Sequence, residues 1–388
     1  MIAQSFMDIA RPTALLGGLS AREFMRRHWQ KKPLLIRSAL LDANPVATRA
    51  EVFGLAARDD VESRLVVRNG EQWTLRHGPL ARRALPALKT RGWTLLVQGA
   101  DLHLEAAHRL LGRFRFVPDA RLDDVMLSFA TDRGGVGPHI DSYDVFLLQV
   151  SGRRRWRIGR PKRAALRDDT PLKMLASFVA SEEWLLDAGD MLYLPPGWAH
   201  EGVADGETIT ASIGFRAAGA GALGVDVLQH LLDAADEDDA GDAADAASRY
   251  ADPEQDATAE PARIPAALSR FADAAVARAV AARRARARAL GEALSEPKAQ
   301  VWFEPGVPGR GTSGVRLDRR SRMLYDENHV YINGEAYRAA GRDAKIVRRL
   351  ADRRALAPRD VAALGSQAAA LIEQWLAAGW LRPETKEE

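Results

Sequence analysis

The sequence predicts a mainly β core, a barrel or sandwich of short strands, followed by an α-rich stretch and a small α+β domain. Three observations predict it. Between about residues 90 and 217, short apolar or alternating runs recur between Gly, Pro and Ser turn clusters. Past residue 217 the composition shifts to an acidic, apolar-poor run (233–245) and then an Ala- and Arg-rich stretch (263–296) with loosely helical apolar spacing. The last ninety or so residues mix hairpin and helix signals. A chain of 388 residues has room for two or three domains, and 47% hydrophobic residues suffice for ordinary cores.

Taken in order, residues 1–20 read as an irregular lead-in. Ser20 with Glu23 three residues on forms a capping box, so a helix runs from Ala21 to about Trp29 and stops before Pro33. Leu34-Leu35-Ile36 is a short buried strand, and the lone His28 is structural. Asn69-Gly70 joins strands 65–67 and 73–75, because Asn and Gly accept the positive φ of a two-residue hairpin turn. Residues 79–88 read as loop and short helix, 93–97 as a strand and 104–111 as a helix. His103 and His108 read as packing or surface residues rather than ligands. Residues 123–130 form a strand with Met126, Ser128 and Ala130 on one face. Ser128 suits either a carboxylate contact or a plain small packing residue.

The richest stretch is 134–158, GGVGPHIDSYDVFLLQVSGRRRWRI, answered by 189–202, GDMLYLPPGWAHEG. Residues two apart in a strand point to one side, so His139 and Asp141 aim at one spot, which His200 reaches from a neighbouring strand. Two imidazoles and one carboxylate on one face of a metal is the arrangement of non-heme Fe(II) oxygenases, with coordination positions left for other ligands. Asp144 reads as a turn residue, not a fourth ligand. Residues 145–150 form an apolar strand, Ser151-Gly152 a hairpin turn, and 153–158 a second strand. On that strand Trp156 and Ile158 face the core, and Arg154 shares their side while Arg153, Arg155 and Arg157 face water. An inward Arg requires an anion, either a bound dicarboxylate or an internal Asp or Glu. Residues 161–183 are a polar insertion placed to shape a substrate cleft. Along 208–215, Thr208, Thr210 and Ser212 make one row and apolar residues the other.

The His139-Ile140-Asp141 triplet, the RRRW strand, the GDMLYLPPGWAHEG loop and the early HWQKKPLLIR segment together resemble the bacterial JmjC-type ribosomal oxygenases, over essentially the whole chain. The resemblance implies a double-stranded β-helix (cupin/JmjC barrel), assigned to about 90–217. It implies Fe(II) held by His139, Asp141 and His200, with 2-oxoglutarate and dioxygen as co-substrates. Arg154 would hold the distal carboxylate of 2-oxoglutarate, with Ser128 as its hydroxyl partner. It further implies arginine 3-hydroxylation of large-subunit ribosomal protein sixteen, a homodimer built by helices between barrel and C-terminus, and an accessory winged-helix-like domain. The charged Thr131-Asp132-Arg133 departs from the family pattern at the edge of the cleft.

The expected domains are 1–217, lead-in plus barrel; 218–300, acidic linker and helical dimerisation region; and 301–388, winged-helix-like. In the last, strands 323–325 and 330–332 flank a turn, Asn333-Gly334 marks another, and helices cover 344–351, start at Pro358, and cover 366–378. The final helix turns Leu371, Ile372, Trp375 and Leu376 inward, and Gly379 closes it. Rival readings are a JmjC histidine hydroxylase, an N-methyl demethylase releasing formaldehyde, and a metal- or nucleic-acid-binding winged-helix protein without turnover. The chain has no cysteine, hence no disulfide framework and no thiolate metal site. A formal charge of +3 does not establish nucleic-acid binding, and none is expected for catalysis. No secretory signal and no membrane-length apolar run stands out, so a cytoplasmic location is expected.

Overall fold

The computed structural model describes residues 8–40, 46–161, 164–237, 250–251, 262–306 and 314–384. Backbone contacts divide the chain into two units: one built mainly from residues up to 217, the other mainly from residues 218 onward.

The first unit is organised by an antiparallel ten-stranded sheet in the order β1-β9-β7-β10-β5-β4-β2-β3, with β6 added to β10 and β8 to β7. The strands are β1 (Leu34–Ile36), β2 (Ser63–Asn69), β3 (Gln72–His77), β4 (Trp93–Val97), β5 (Leu122–Ala130), β6 (His139–Ile140), β7 (Val145–Gly159), β8 (Glu182–Leu186), β9 (Met191–Leu194) and β10 (Ala199–Phe215). Strands β7 and β10 are long and pair with each other on both sides of an irregularity near Gly152. The first half of β7 takes β9 on its other side and the second half takes β8. Strand β10 likewise takes β6 at its start and β5 at its end. A sheet whose two central strands change partners midway folds onto itself, which makes the expected double-stranded β-helix.

The bend also corrects the expectation of a hairpin at Ser151-Gly152: β7 runs straight through it. Gly152 has φ +66°, and opposite it β10 carries extra residues between Asp205 and Ile209. A β-bulge bends a strand without ending it, and turn-prone residues mark both devices alike in a sequence.

Alternation along β7 splits the apolar side chains into two cores. Phe146 and Leu148 face outward into a cluster with Phe24, Trp29, Phe114, Tyr193 and Phe215. Val145, Leu147, Trp156 and Ile158 face the other way, with Leu186, Leu192 and Leu194. Helix α1 (Ala21–Arg27) supplies Phe24 and is started by the expected Ser20/Glu23 capping box. Phe24 packs edge-on against Tyr193 and tilted against Phe146, and His28 stacks on it, so His28 is a packing residue. Helices α2 (Arg49–Ala56) and α3 (Glu105–Gly112) complete the outer layer.

Asp144, read from its place before β7 as a turn residue rather than a fourth ligand, lies outside the metal cluster and has a structural role. It is fully buried and accepts hydrogen bonds from Tyr193 Oη at 2.6 Å and Gln30 Nε2 at 3.1 Å, with Arg121 Nη2 at 3.6 Å. Those partners stand 49 and 114 residues away, beyond the reach of local pattern.

In the second unit, the long helix expected over 263–296 is two helices, α5 (Ala266–Ala281) and α6 (Arg283–Ser295). They are parted at Ala282, which is extended (ψ 96°). The break frees the Val280 carbonyl, and the Arg286 guanidinium donates to it. Alanine is the best helix former, so its propensity hides such a break. Helix α4 (Ala220–Glu237) runs into the start of the acidic stretch, of which residues 238–245 lie outside the described residues. At the C-terminus, β11 (Val315–Leu317) is flanked by β15 (Ala355–Leu356) and β16 (Leu381–Pro383). Strands β12 (Met323–Tyr325), β13 (His329–Ile332) and β14 (Glu335–Arg338) form a meander. Helices α7 (Gly341–Arg353), α8 (Pro358–Ala362) and α9 (Ser366–Ala377) join them, and Ile372, Trp375 and Leu376 are buried as the helical spacing predicts.

Candidate metal centre

The site grows from a single pairing. The short strand β6 lies antiparallel to β10 with His139 opposite His200, so the two imidazoles are cross-strand neighbours with centroids 4.2 Å apart. Asp141, two residues after His139, turns its carboxylate to the same place, with Oδ2 3.6 Å from His200 Nε2. One ligand atom from each of the three lies within 4.8 Å of the others, and among the described residues this is the one group of His, Cys, Asp or Glu so disposed.

Both rings are held by the backbone. His139 Nδ1 lies 3.1 Å from the Gly137 carbonyl and His200 Nδ1 lies 3.1 Å from the Trp198 carbonyl. A carbonyl only accepts, so each Nδ1 carries the proton and each Nε2 keeps its lone pair, the state a metal ligand needs. His200 is 2% exposed, and burial, followed by His139 nearby, holds its pKa well below the usual histidine range. Burial also raises the Asp141 carboxyl, partly offset by His139 and by a hydrogen bond from Tyr143. A neutral imidazole and a carboxylate lacking a strong cation partner both gain from a divalent ion, so the donor set fits one.

The segment before His139 is held by the insertion. Gly137 has φ +75°, and a Cβ there would meet Met174 Sδ at 2.6 Å. Leu175 N donates to the Pro138 carbonyl at 2.8 Å. The described part of the polar insertion therefore folds over the loop that presents His139. The charged departure at 131–133 ties that loop to β10: Gly206 N donates to Asp132 Oδ1, and Arg133 N to the Ala204 carbonyl.

Deeper in the barrel, on the inner face of β7, lies Arg154, 4% exposed. Among the described residues no carboxylate pairs with it. Its Nη1 donates to Ser128 Oγ at 3.2 Å and Thr210 Oγ1 at 3.1 Å, and its Nε has no partner. Burial lowers the guanidinium to about 10, which leaves it charged at neutral pH. A buried cation with only hydroxyls around it costs several kcal/mol, of the order of the charge-burial penalty, until an anion arrives. A carboxylate fits the orphaned Nε edge by a charge-assisted fork. By contrast Arg153, Arg155 and Arg157 are paired outward with Asp205, Glu183 and Glu201.

The structure thus brings together all five residues singled out in the sequence: three around one point, and Ser128 beside Arg154. It adds Thr210, which the sequence placed in a polar row without a role. Thr210 pairs directly with Ser128 across β10 and β5 and with Gln149 across β10 and β7. The small-polar row along β10 was the signal; the missing information was which strand lay beside it.

Residues 109–223 match the JmjC domain and residues 280–382 the ROXA-like winged helix. The chain is 40% identical over 196 residues to the ribosomal protein uL16 3-hydroxylase of Escherichia coli (strain K12), covering 50% of this chain and 52% of that protein. A probable ribosomal oxygenase of Haemophilus influenzae is 34% identical over 221 residues, 56% of this chain and 53% of the relative. In sequence, then, the chain spans about half the length of the curated relatives it matches. In three dimensions the likeness to Escherichia coli YcfD, a ribosomal oxygenase solved in complex with cobalt and 2-oxoglutarate, covers 95% of this chain and 99% of that one, with TM-score 0.77 and 28% identity.

Proposed function

We propose that this chain, a JmjC-domain protein with a ROXA-like winged helix and the whole-chain fold of a bacterial ribosomal oxygenase, is an Fe(II)- and 2-oxoglutarate-dependent protein hydroxylase. Its substrate is large-subunit ribosomal protein sixteen (uL16), the protein named in the 3-hydroxylase activity of its relative, with an arginine side chain as the residue that the family resemblance implies. One observation carries this reading: a two-His, one-Asp cluster and a buried Arg without a carboxylate partner share one barrel interior. The metal cluster alone suits many ions, and the buried Arg alone suits many anions. Together they suit a metal-chelating dicarboxylate.

His139, Asp141 and His200 would hold the iron and Arg154, with Ser128, the far carboxylate of 2-oxoglutarate. When bound, iron and 2-oxoglutarate supply the oxidising power by which dioxygen hydroxylates an unactivated C–H, with succinate and CO₂ as the other products. The protein contributes position. The Gly137 and Trp198 carbonyls fix the tautomer and tilt of both imidazoles. Ser128 and Thr210 hold the Arg154 guanidinium at a set depth, where it would take the far carboxylate of the co-substrate. The leucines and Trp156 of the inner cluster exclude bulk water and strengthen the Arg–carboxylate pair.

We assign catalysis to residues 1–217, assembly to 218–300 and an accessory role to 301–388. Helix α4 exposes Val225, Leu228 and Leu232, one helical stripe of apolar side chains, which supports a homodimer. Helix α9 carries a single charged residue, Glu373, which disfavours a nucleic-acid role for it.

The test is intact-mass analysis of uL16 incubated with the iron-loaded protein, 2-oxoglutarate and air. A gain of one oxygen mass on an arginine, absent with His139→Ala, is the expected result. Formaldehyde without retained oxygen would point instead to N-methyl demethylation. No consumption of 2-oxoglutarate would end the enzymatic reading.

A further inference from the structure

Between Arg64 and Arg91 the chain carries six arginines and one lysine against a single acid, Glu71. The formal charge of +3 for the whole chain conceals this run. It covers strands β2 and β3 and the loop after them, and β3 ends one side of the ten-stranded sheet. The fold gathers these cations. Arg68 stands opposite Trp73 across the hairpin, with its Cζ 5.3 Å from the Trp73 ring centroid. On the side of β2 away from β3, Arg68 N donates to the Gly92 carbonyl at 2.8 Å, so Arg91, one residue back, lies close by. Arg76 Nη1 donates to the Ala84 carbonyl at 3.2 Å, which draws the short 3-10 turn Arg82–Ala84 onto β3.

Few of these charges are neutralised. Arg91 has a carboxylate, Asp132, at 3.0 Å. Arg64 and Arg68 have only Glu62 at 3.9 Å and Glu71 at 3.8 Å. Arg76, Arg82, Arg83 and Lys89 are exposed and have no carboxylate partner among the described residues. Arg76 and Arg82 donate instead to the carbonyls of Ala84 and Pro86. A carbonyl fixes a guanidinium without cancelling its charge, so the surface is held in shape and left cationic. The outward arginines of β7 are the contrast: Arg153, Arg155 and Arg157 each have a carboxylate, as an ordinary solvated face does.

We propose that this end of the sheet is an RNA-docking surface: its arginines take backbone phosphates, and the Arg68–Trp73 pair stacks on an unpaired base. The guanidinium fork matches phosphate oxygens, and an aromatic ring among cations suits a single strand, whose bases are free to stack. An acidic polypeptide would meet the same cations but has no use for the ring. The choice of RNA rests on the uL16 reading above, because a protein of the large ribosomal subunit lies beside RNA. Docking holds the enzyme on an RNA-bound substrate and takes no part in the chemistry at the metal.

The test uses the full chain and a fluorescent single-stranded RNA of mixed sequence, followed by anisotropy over a range of salt. The wild type binds with an affinity that falls as salt rises, by a log–log slope of about −0.7 for each phosphate held. Arg76→Gln with Arg83→Gln weakens binding by about tenfold or more and flattens the slope by about 1.4, two phosphates' worth. Trp73→Ala weakens it by about tenfold at the same slope. Arg22→Gln with Arg26→Gln, exposed cations on α1, changes neither. Hydroxylation of free uL16 is measured beside these and is unchanged in the Arg76 and Arg83 variant. RNA binding that is absent, or that survives either hairpin variant intact, overturns the inference. So does polyglutamate or an anionic phospholipid vesicle bound as tightly as RNA with the same losses. If RNA binds with the expected losses and uL16 is not hydroxylated, the uL16 reading falls and the docking surface stands.

Discussion

At the scale of single residues, Arg154 shows most directly how a side chain can be wrong for stability and right for binding. A guanidinium 4% exposed, with two hydroxyls and no carboxylate among the described residues, is an uncompensated buried charge. Replacing buried charges by apolar groups of similar size is commonly neutral or stabilising by about 1–4 kcal/mol. Arg154→Met is therefore expected to raise the melting temperature of the ligand-free protein. It should also abolish the further rise that 2-oxoglutarate gives the wild type. Thermal melts with and without 2-oxoglutarate check both halves, and a variant still stabilised by 2-oxoglutarate would contradict them. Gly137 supplies a second case. Its φ of +75° disfavours any side chain, and a Cβ there collides with Met174. Gly137→Ala should cost about 2–3 kcal/mol and weaken metal binding, because His139 is two residues on. Denaturant unfolding of Gly137→Ala beside the wild type measures the loss.

At this scale the sequence was partly legible. His139 and Asp141 share a side by strand period alone, and Arg154 by its parity with Trp156 and Ile158. Thr210 and Asp144 were not legible for what they do. Thr210 matters because β5 lies beside β10, and Asp144 because Gln30 and Tyr193 come to it from distant segments. Such roles depend on pairing, which strand period does not carry.

At the scale of elements, the second unit contains the acid whose titration is easiest to read. Asp318 follows β11 and is 7% exposed. Burial alone would raise its pKa, but Arg320 and Arg382 outweigh it and hold the carboxyl at about 2. A carboxyl depressed in the folded state stabilises the fold above its unfolded pKa, near 3.8, and that stability is lost as pH falls from there toward 2. The shift amounts to about 2 kcal/mol. Asp318→Asn should therefore be less stable than wild type at pH 6, with the gap narrowing between pH 4 and pH 2. Urea unfolding of this unit, followed at those three pH values, gives the slope, and a constant gap would refute the assignment. The elements themselves divide by how they were encoded. Helix α1 and the hairpin of β2 and β3 were written locally, by a capping box and an Asn-Gly turn. The bend in β7 and the break at Ala282 were not, since Gly152 and an alanine look the same in a turn, a bulge or a helix.

For the whole molecule, the open question raised by the surface is assembly. Val225, Leu228 and Leu232 are 66%, 48% and 62% exposed on one stripe of α4. Surface of that kind is costly to leave in water, at roughly 25 cal/mol per Å² of apolar area. If α4 forms the proposed homodimer interface, Leu228→Glu buries a charge in it and should convert dimer to monomer. Light scattering on the full chain is expected to show the mass halved, with 2-oxoglutarate binding to the barrel kept. No described helix is long and apolar enough to cross a membrane.

What the sequence alone determined was whatever depends on neighbours within a few positions: caps, turns, the side of a strand on which each residue stands, and hence which donors were candidates. The family resemblance rested on the same kind of information, since its motifs are contiguous runs. The tertiary structure alone decided which sides meet. It set His139 across from His200, emptied the space around Arg154 of carboxylates, and buried Asp144 among distant partners. The physical reason is that local conformation follows from sterics and hydrogen bonding along the chain. Pairing between distant strands follows from the burial of a shared core, to which every strand of the barrel contributes at once.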